Sequence, residues 1–147
     1  MFKEGKKFQQ KTIFDFDYKM SDARRKVLNN SWAADFFENI FLKIDENKFS
    51  VLFSDKYSRP NVAVNLLISL FIIKDLTNSS DEELIEGFYF DLRYHHALGI
   101  SNIEKEKLCI NTLTNFRNRI VGYEIITGID LLGDEVKRIT SGSLLDF

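Results

Sequence analysis

The sequence predicts an all-α protein, a compact helical bundle containing a helix-turn-helix-like pair and preceded by a poorly structured N-terminal arm. Three observations predict it. Apolar residues recur at helical spacing in several segments. One proline and seven glycines are too few to punctuate a β-rich chain of 147 residues. Helix-start chemistry stands before these periods at Ser21, Ser31 and Ser80. At this length a core forms without covalent staples, and the single Cys109 excludes an internal disulfide framework.

Residues 1–20 alternate Phe, Lys and Gln without a sustained period and read as the arm, with a short extended piece at Thr12 to Tyr18. Ser21 or Asp22 caps a short helix through Leu28. Ser31 caps the next, where Trp32, Phe36, Ile40 and Ile44 recur at spacing four beside Phe37 and Phe41. A short turn from Glu46 to Phe53 follows. Pro60 disfavours helix at Arg59, and Asn61 caps a helix from Val62 to Leu76 that is apolar almost all round and belongs at the centre. Ser80-Asp81-Glu82-Glu83 reads as a capping box whose acids suit the positive end of the helix dipole. The helix it opens runs toward Leu98, with Gly99 as a left-handed cap. After a polar connection from Ser101 to Cys109, Asn111 caps a short helix with Leu113, Phe116 and Ile120 on its inner face. Gly122 ends or loosens that helix. A last segment, Tyr123 to Thr140, is broken by Gly128 and Gly133, and Ser141-Gly142-Ser143 frays.

Charge is uneven. Residues 1–30 hold eight basic and four acidic residues, whereas 61–110 hold four and eight. The net charge of −2 excludes a uniformly basic nucleic-acid coat and leaves room for a local basic patch. Such patches lie in the arm and at Arg117 and Arg119. No long apolar run follows the N-terminal lysines, and Val62 to Ile73 is shorter than the about 20 residues that a bilayer requires. A soluble, cytoplasmic protein is expected.

The outer face of the Asn111 helix carries Asn111, Thr114, Asn115 and Asn118, flanked by Thr112 and Arg119, while Arg117 borders the core. Such a face suits the major groove, where Asn pairs with adenine, Arg with guanine, and a Thr methyl meets thymine. The preceding helix supplies the packing partner of a helix-turn-helix variant, with a longer connection than the simplest form has. Other constellations carry less. His95 and His96 are adjacent and diverge on a helix, so they chelate one ion poorly. Cys109 lacks His and acid partners at a catalytic spacing. Asp130, Asp134 and Glu135 read as a solvated surface. No metal site, cofactor or phosphate-binding glycine loop is expected.

Tyr57 to Ile120 resembles the InsH-type N-terminal domain of bacterial insertion-sequence DDE transposases. Arg59-Pro60 opens the long apolar helix, Leu76-Thr77-Asn78-Ser79-Ser80-Asp81-Glu82-Glu83-Leu84 resembles the turn into the second, and Phe90-Asp91-Leu92-Arg93-Tyr94 with Ala97-Leu98-Gly99 resembles its end. Asn111-Thr112-Leu113-Thr114-Asn115-Phe116-Arg117 resembles the family's Ser-Thr-Leu-Ser-x-Phe-Arg signature, with Asn111 and Thr114 in place of the serines. Asn30-Ser31-Trp32-Ala33 and the stretch from Tyr123-Glu124 to Leu131-Leu132 extend the likeness. The resemblance implies binding of the terminal inverted repeats of an element, and possession elsewhere of an RNase H-like domain whose Asp, Asp and Glu bind two metal ions.

The expected organisation is an arm and helical extension (1–56), an InsH-like helical domain (57–122), and a helical segment with a tail (123–147). The chain is expected to be a truncated product without catalytic residues, since it reaches Phe147 before the family's first catalytic Asp. Thr112, Asn115, Asn118 and Arg119 are expected to face bases. Lys6, Lys7, Arg24, Arg25 and Lys26 are expected to meet phosphates, and Arg117 to buttress the fold or touch a phosphate. The alternative is a protein-interaction module that pairs transposase subunits or blocks their assembly.

Overall fold

A helix that is apolar on every side finds no face for water, so the other elements must wrap it. Val64–Thr77 (α3) is that helix, with Val64 to Ile73 buried throughout. The computed structural model describes residues 20–53 and 62–141. The arm with Lys6 and Lys7, the Pro60-Asn61 junction and the tail from Gly142 lie outside the described residues.

The other helices are Asp22–Asn29 (α1), Trp32–Asn39 (α2), Asp81–Phe90 (α4), Leu92–Ala97 (α5), Ile110–Thr127 (α6) and Leu131–Ser141 (α7), with 3-10 turns at Phe41–Lys43, Glu46–Leu52 and Ile103–Lys105. The fold is all-α, with no strand among the described residues. Ser21 and Ser31 cap α1 and α2 by accepting from the amides of Arg24 and Ala33. The α2 period stops at Asn39, so Ile44 packs from beyond a 3-10 turn and not from the helix that its spacing predicts. Trp32 meets Phe36 and Tyr94 edge to face at 6.1 and 5.9 Å, which seats α2 on α5.

α3 ends where Asn78 takes the left-handed conformation (φ 54°) and the Ser79 amide returns to the Lys74 carbonyl. The Ser80 box then forms as the sequence predicts. The Glu83 amide donates to Ser80 Oγ, and the Ser80 amide donates to Glu83 Oε1, each at 3.1 Å.

The second helix does not run on to Leu98. Asp91 leaves helical geometry (ψ 116°) and its carboxylate caps α5, accepting from the Arg93 amide at 2.9 Å and the Arg93 guanidinium at 2.8 Å. The break lets the Tyr94 ring fold back onto Gly87, where a Cβ would stand 2.6 Å from the ring. The buried His95 donates from Nε2 to the Phe88 carbonyl at 2.7 Å and so spans the break. Burial holds its pKa below the ordinary histidine value.

α6 also departs from expectation. It begins after Cys109 and not at an Asn111 cap, passes through Gly122, and ends at Gly128. A single glycine costs a helix only about 1 kcal/mol. Gly128 adopts φ 76°, which side chains resist, and its amide closes on the Glu124 carbonyl at 2.7 Å. Asp130 Oδ1 then accepts from the Gly133 amide, so Gly133 belongs to a capped first turn of α7 and does not break it.

The acids Asp130, Asp134 and Glu135 do not share a solvated surface. Only Asp134 is exposed, and the Glu135 side chain is 1% exposed. Glu135 accepts from the Asp45 amide at 2.7 Å and from Arg138 Nε at 2.6 Å, with Lys48 Nζ at 3.4 Å. Arg138 also donates to the Lys43 carbonyl. One carboxylate thus clamps α7 to the 43–48 connection. Burial alone raises its pKa, but the bonds from Arg138 and the Asp45 amide outweigh it and hold the carboxyl below the ordinary glutamate value.

Glu135→Ala removes one acceptor from three donors and is expected to cost about 1–3 kcal/mol, read as a lower denaturant midpoint at unchanged slope. A folded pKa below the unfolded one means the native state binds fewer protons, so the clamp stabilises above the unfolded value. The stability gap between wild type and Glu135→Gln is therefore full near neutral pH and closes as pH falls through the lowered folded value. A gap independent of pH would show that the Glu135 charge does not contribute.

Candidate nucleic-acid interface

The roll of α6 decides which residues meet solvent. Leu113, Phe116 and Ile120 are buried, and Phe116 stacks on Phe71 at 5.8 Å and Phe53 at 6.4 Å, with Phe49 tilted at 6.3 Å. That fixes the inner stripe against α3 and the 46–53 segment. The opposite face then carries Asn111, Asn115 and Asn118, all exposed, with Thr114 half-buried beside them. Spacings of four and three residues put the three carboxamides on one side, spread over about 10 Å of helix at 1.5 Å per residue.

The two arginines of α6 are engaged within the fold. Arg117 grips Asp81 with Nη2 to Oδ1 at 2.9 Å and Nη1 to Oδ2 at 3.3 Å, and lies 5.2 Å over the Phe71 ring. Lys74 reaches the same carboxylate at 2.7 Å. The bonds from Arg117 first, then Lys74, hold Asp81 below the ordinary aspartate pKa. Arg117 therefore buttresses the helix pair, one of the two roles that the sequence leaves open. Arg119 sits on the flank that its spacing predicts, but its guanidinium donates to the Leu52 carbonyl at 2.8 Å and lies 5.1 Å over Phe53, turned into the fold and not outward to bases as expected. Thr112 is half-buried, with its hydroxyl 3.2 Å from Cys109 Sγ.

The connection before α6 is tied to α4 by Tyr89, whose hydroxyl accepts from the Leu108 amide at 2.7 Å and donates to the Leu108 carbonyl at 3.0 Å. Lys105 and Lys107 are exposed on this connection. Asn111 stands on the outer face that the sequence assigns to it. The asparagines at i, i+4 and i+7 give that face its pattern, and only the reading of Asn111 as a cap is replaced, by Cys109. Arg24 and Lys26 are exposed and Arg25 is half-buried on α1, which packs against α2 and α5, whereas α6 packs on α4, α7 and the 46–52 turn.

Other candidate chemistry resolves into structure. His96 turns to the Phe37 ring at 6.4 Å while His95 points to Phe88, so the pair diverges as adjacency requires. Cys109 is exposed, and the Thr112 hydroxyl bond followed by the Thr112 amide lowers its pKa. Among the described residues no group of three or more His, Cys, Asp or Glu is placed to hold a metal ion, and no helix is long and apolar enough to cross a membrane.

Comparison with curated proteins and with solved structures gives no match. Comparison with family models gives one, a transposase domain (DUF772), over residues 24–119. The matched segment runs from α1 to the outward asparagine stripe of α6 and covers more than half of the chain, and the protein belongs to this transposase-domain family.

Proposed function

We propose that this chain is the DNA-binding part of an insertion-sequence transposase, recognising the terminal inverted repeats of its element during DNA transposition. The observation that carries the reading is the outward face of α6, where Asn111, Asn115 and Asn118 stand exposed while Leu113, Phe116 and Ile120 hold the opposite side. An α-helix of this kind fits the major groove, and carboxamides match the donor and acceptor pattern of base edges. α4, joined to α6 through Asp81–Arg117 and to the connection before it through Tyr89–Leu108, acts as the supporting helix of a helix-turn-helix-like pair. Lys6, Lys7, Arg24 and Arg25 supply phosphate contacts, which set affinity and register without carrying sequence. No catalytic residue is assigned within the chain, and strand cleavage and transfer fall to other parts of a transposase.

A second reading, a module that pairs transposase subunits, draws on the apolar residues Val121, Ile125 and Ile126, exposed on the C-terminal half of α6, and Ile129 just beyond it. Exposed apolar groups gathered at one end of a helix mark association surfaces. Sedimentation without DNA separates the two, since a stable dimer that shifts no DNA favours pairing and a monomer that shifts DNA favours recognition.

Asn115→Ala is expected to weaken binding to the element's terminal repeat by about 1–3 kcal/mol and to leave random duplex nearly unaffected. Equal losses on both DNAs in a gel-shift titration would count against base reading. Replacing Lys6 and Lys7 together by Ala is expected to lower affinity on every sequence and to flatten the plot of log affinity against log salt. An unchanged salt slope would remove those lysines from the phosphate contacts.

A further inference from the structure

We infer that the base pairs read by α6 are A·T pairs, in a run of about three steps. The inference rests on the DNA-binding reading above and names what that surface recognises. Its ground is a division of labour on one helix. The side chains able to read guanine, Arg117 and Arg119, are held by the fold. Arg117 is shared between Asp81 and the Phe71 ring, and Arg119 between the Leu52 carbonyl and the Phe53 ring. Swinging Arg117 out leaves Asp81 with Lys74 alone, and swinging Arg119 out strips a half-buried contact between α6 and the 46–53 segment.

What remains outward is Asn111, Asn115 and Asn118 with Thr114 between them. A carboxamide offers one acceptor and two donors. Adenine presents the N7 acceptor and the N6 donor in the major groove, which one carboxamide satisfies in two bonds. Guanine presents two acceptors, N7 and O6, so the carboxamide oxygen meets a like dipole. Cytosine offers a lone donor and no adjacent acceptor. The Thr114 methyl is suited to the thymine methyl opposite an adenine. Along the axis the asparagines are about 6 and 4.5 Å apart. Base pairs stack about every 3.4 Å, so the stripe spans about three steps. No acidic residue stands on this stripe between Asn111 and Asn118.

The test uses the full chain and a pool of duplexes with a randomised core. Selection for bound DNA is expected to enrich two or three adjacent A·T pairs. In the enriched site, exchanging one such pair for G·C is expected to weaken binding about fivefold to a hundredfold. Replacing the contacted adenine by 7-deazaadenine, which lacks only the N7 acceptor, is expected to weaken wild type. It is expected to weaken Asn115→Ala or Asn118→Ala less, once circular dichroism has shown the variant to be folded. A selected core rich in G·C, or bound DNA without a consensus, would overturn A·T reading while leaving DNA binding standing. Absence of any shift on all duplexes would overturn both. A deaza effect of equal size in wild type and in both variants would overturn the assignment to these asparagines.

Discussion

The stacking of Phe116 is the constraint on which the surface chemistry depends. Each residue advances a helix by about 100°, so the direction of every side chain on α6 follows from the one ring pinned among Phe49, Phe53 and Phe71. Burying such a ring is worth about 3–5 kcal/mol against a cavity, and each favourable ring pair adds about 0.5–1.5 kcal/mol. No exposed hydrogen bond rivals that sum. A roll of one position would move the asparagine stripe toward the flank and bring Arg117 out. It would sacrifice the aromatic cluster and the Asp81 contact together, which is why α6 has a single well-defined orientation.

Arg117 and Arg119 sit on either side of that ring's stripe and reinforce it in different ways. Arg117 completes a carboxylate shared by three helices, with Lys74 from α3, Asp81 from α4 and its own guanidinium from α6. Asp81 is also in the first turn of α4, where its charge complements the helix dipole. A half-exposed ion pair alone contributes little. Here the pair lies over the Phe71 ring, so the same guanidinium packs on the core and ties down the helix start. Arg119 does the equivalent for the 46–53 segment. The charges nearest the outward face are thereby spent on architecture, and the face itself is left neutral.

What the sequence made legible was local. The all-round apolarity of α3, the Ser80 capping box and Gly99 as a left-handed cap each depend on residues within one or two turns, and each is found as expected. The inward stripe of α6 was legible for the same reason. The misreadings turned on contacts and backbone angles that periodicity does not carry. The break at Asp91 is favoured by Tyr94 closing on Gly87, a contact across the break that periodicity does not encode. Glu135 looks like one of three surface acids until the Asp45 amide, ninety residues away, is brought to it. Gly122 and Gly128 are chemically identical, and only the backbone angle distinguishes the one that ends the helix. Asn111 was a plausible cap by type, yet the cap is Cys109, two residues earlier, which frees it.

The neutral face has a consequence for how a protein of net charge −2 would search for a site. Non-specific affinity comes from cations against phosphates and falls steeply with salt. In the proposed reading α6 contributes almost nothing to that component, because its arginines are committed inward. In that reading the general attraction would rest instead on the lysines of the N-terminal segment and on α1. Discrimination between sequences rests on carboxamides whose hydrogen bonds form only with the right base edge and whose desolvation goes uncompensated on the wrong one. In the proposed reading, separating the two tasks onto different segments would keep random DNA weakly held while the cognate site gains from both. A transposase requires that ratio, because its two repeats compete with every other sequence present.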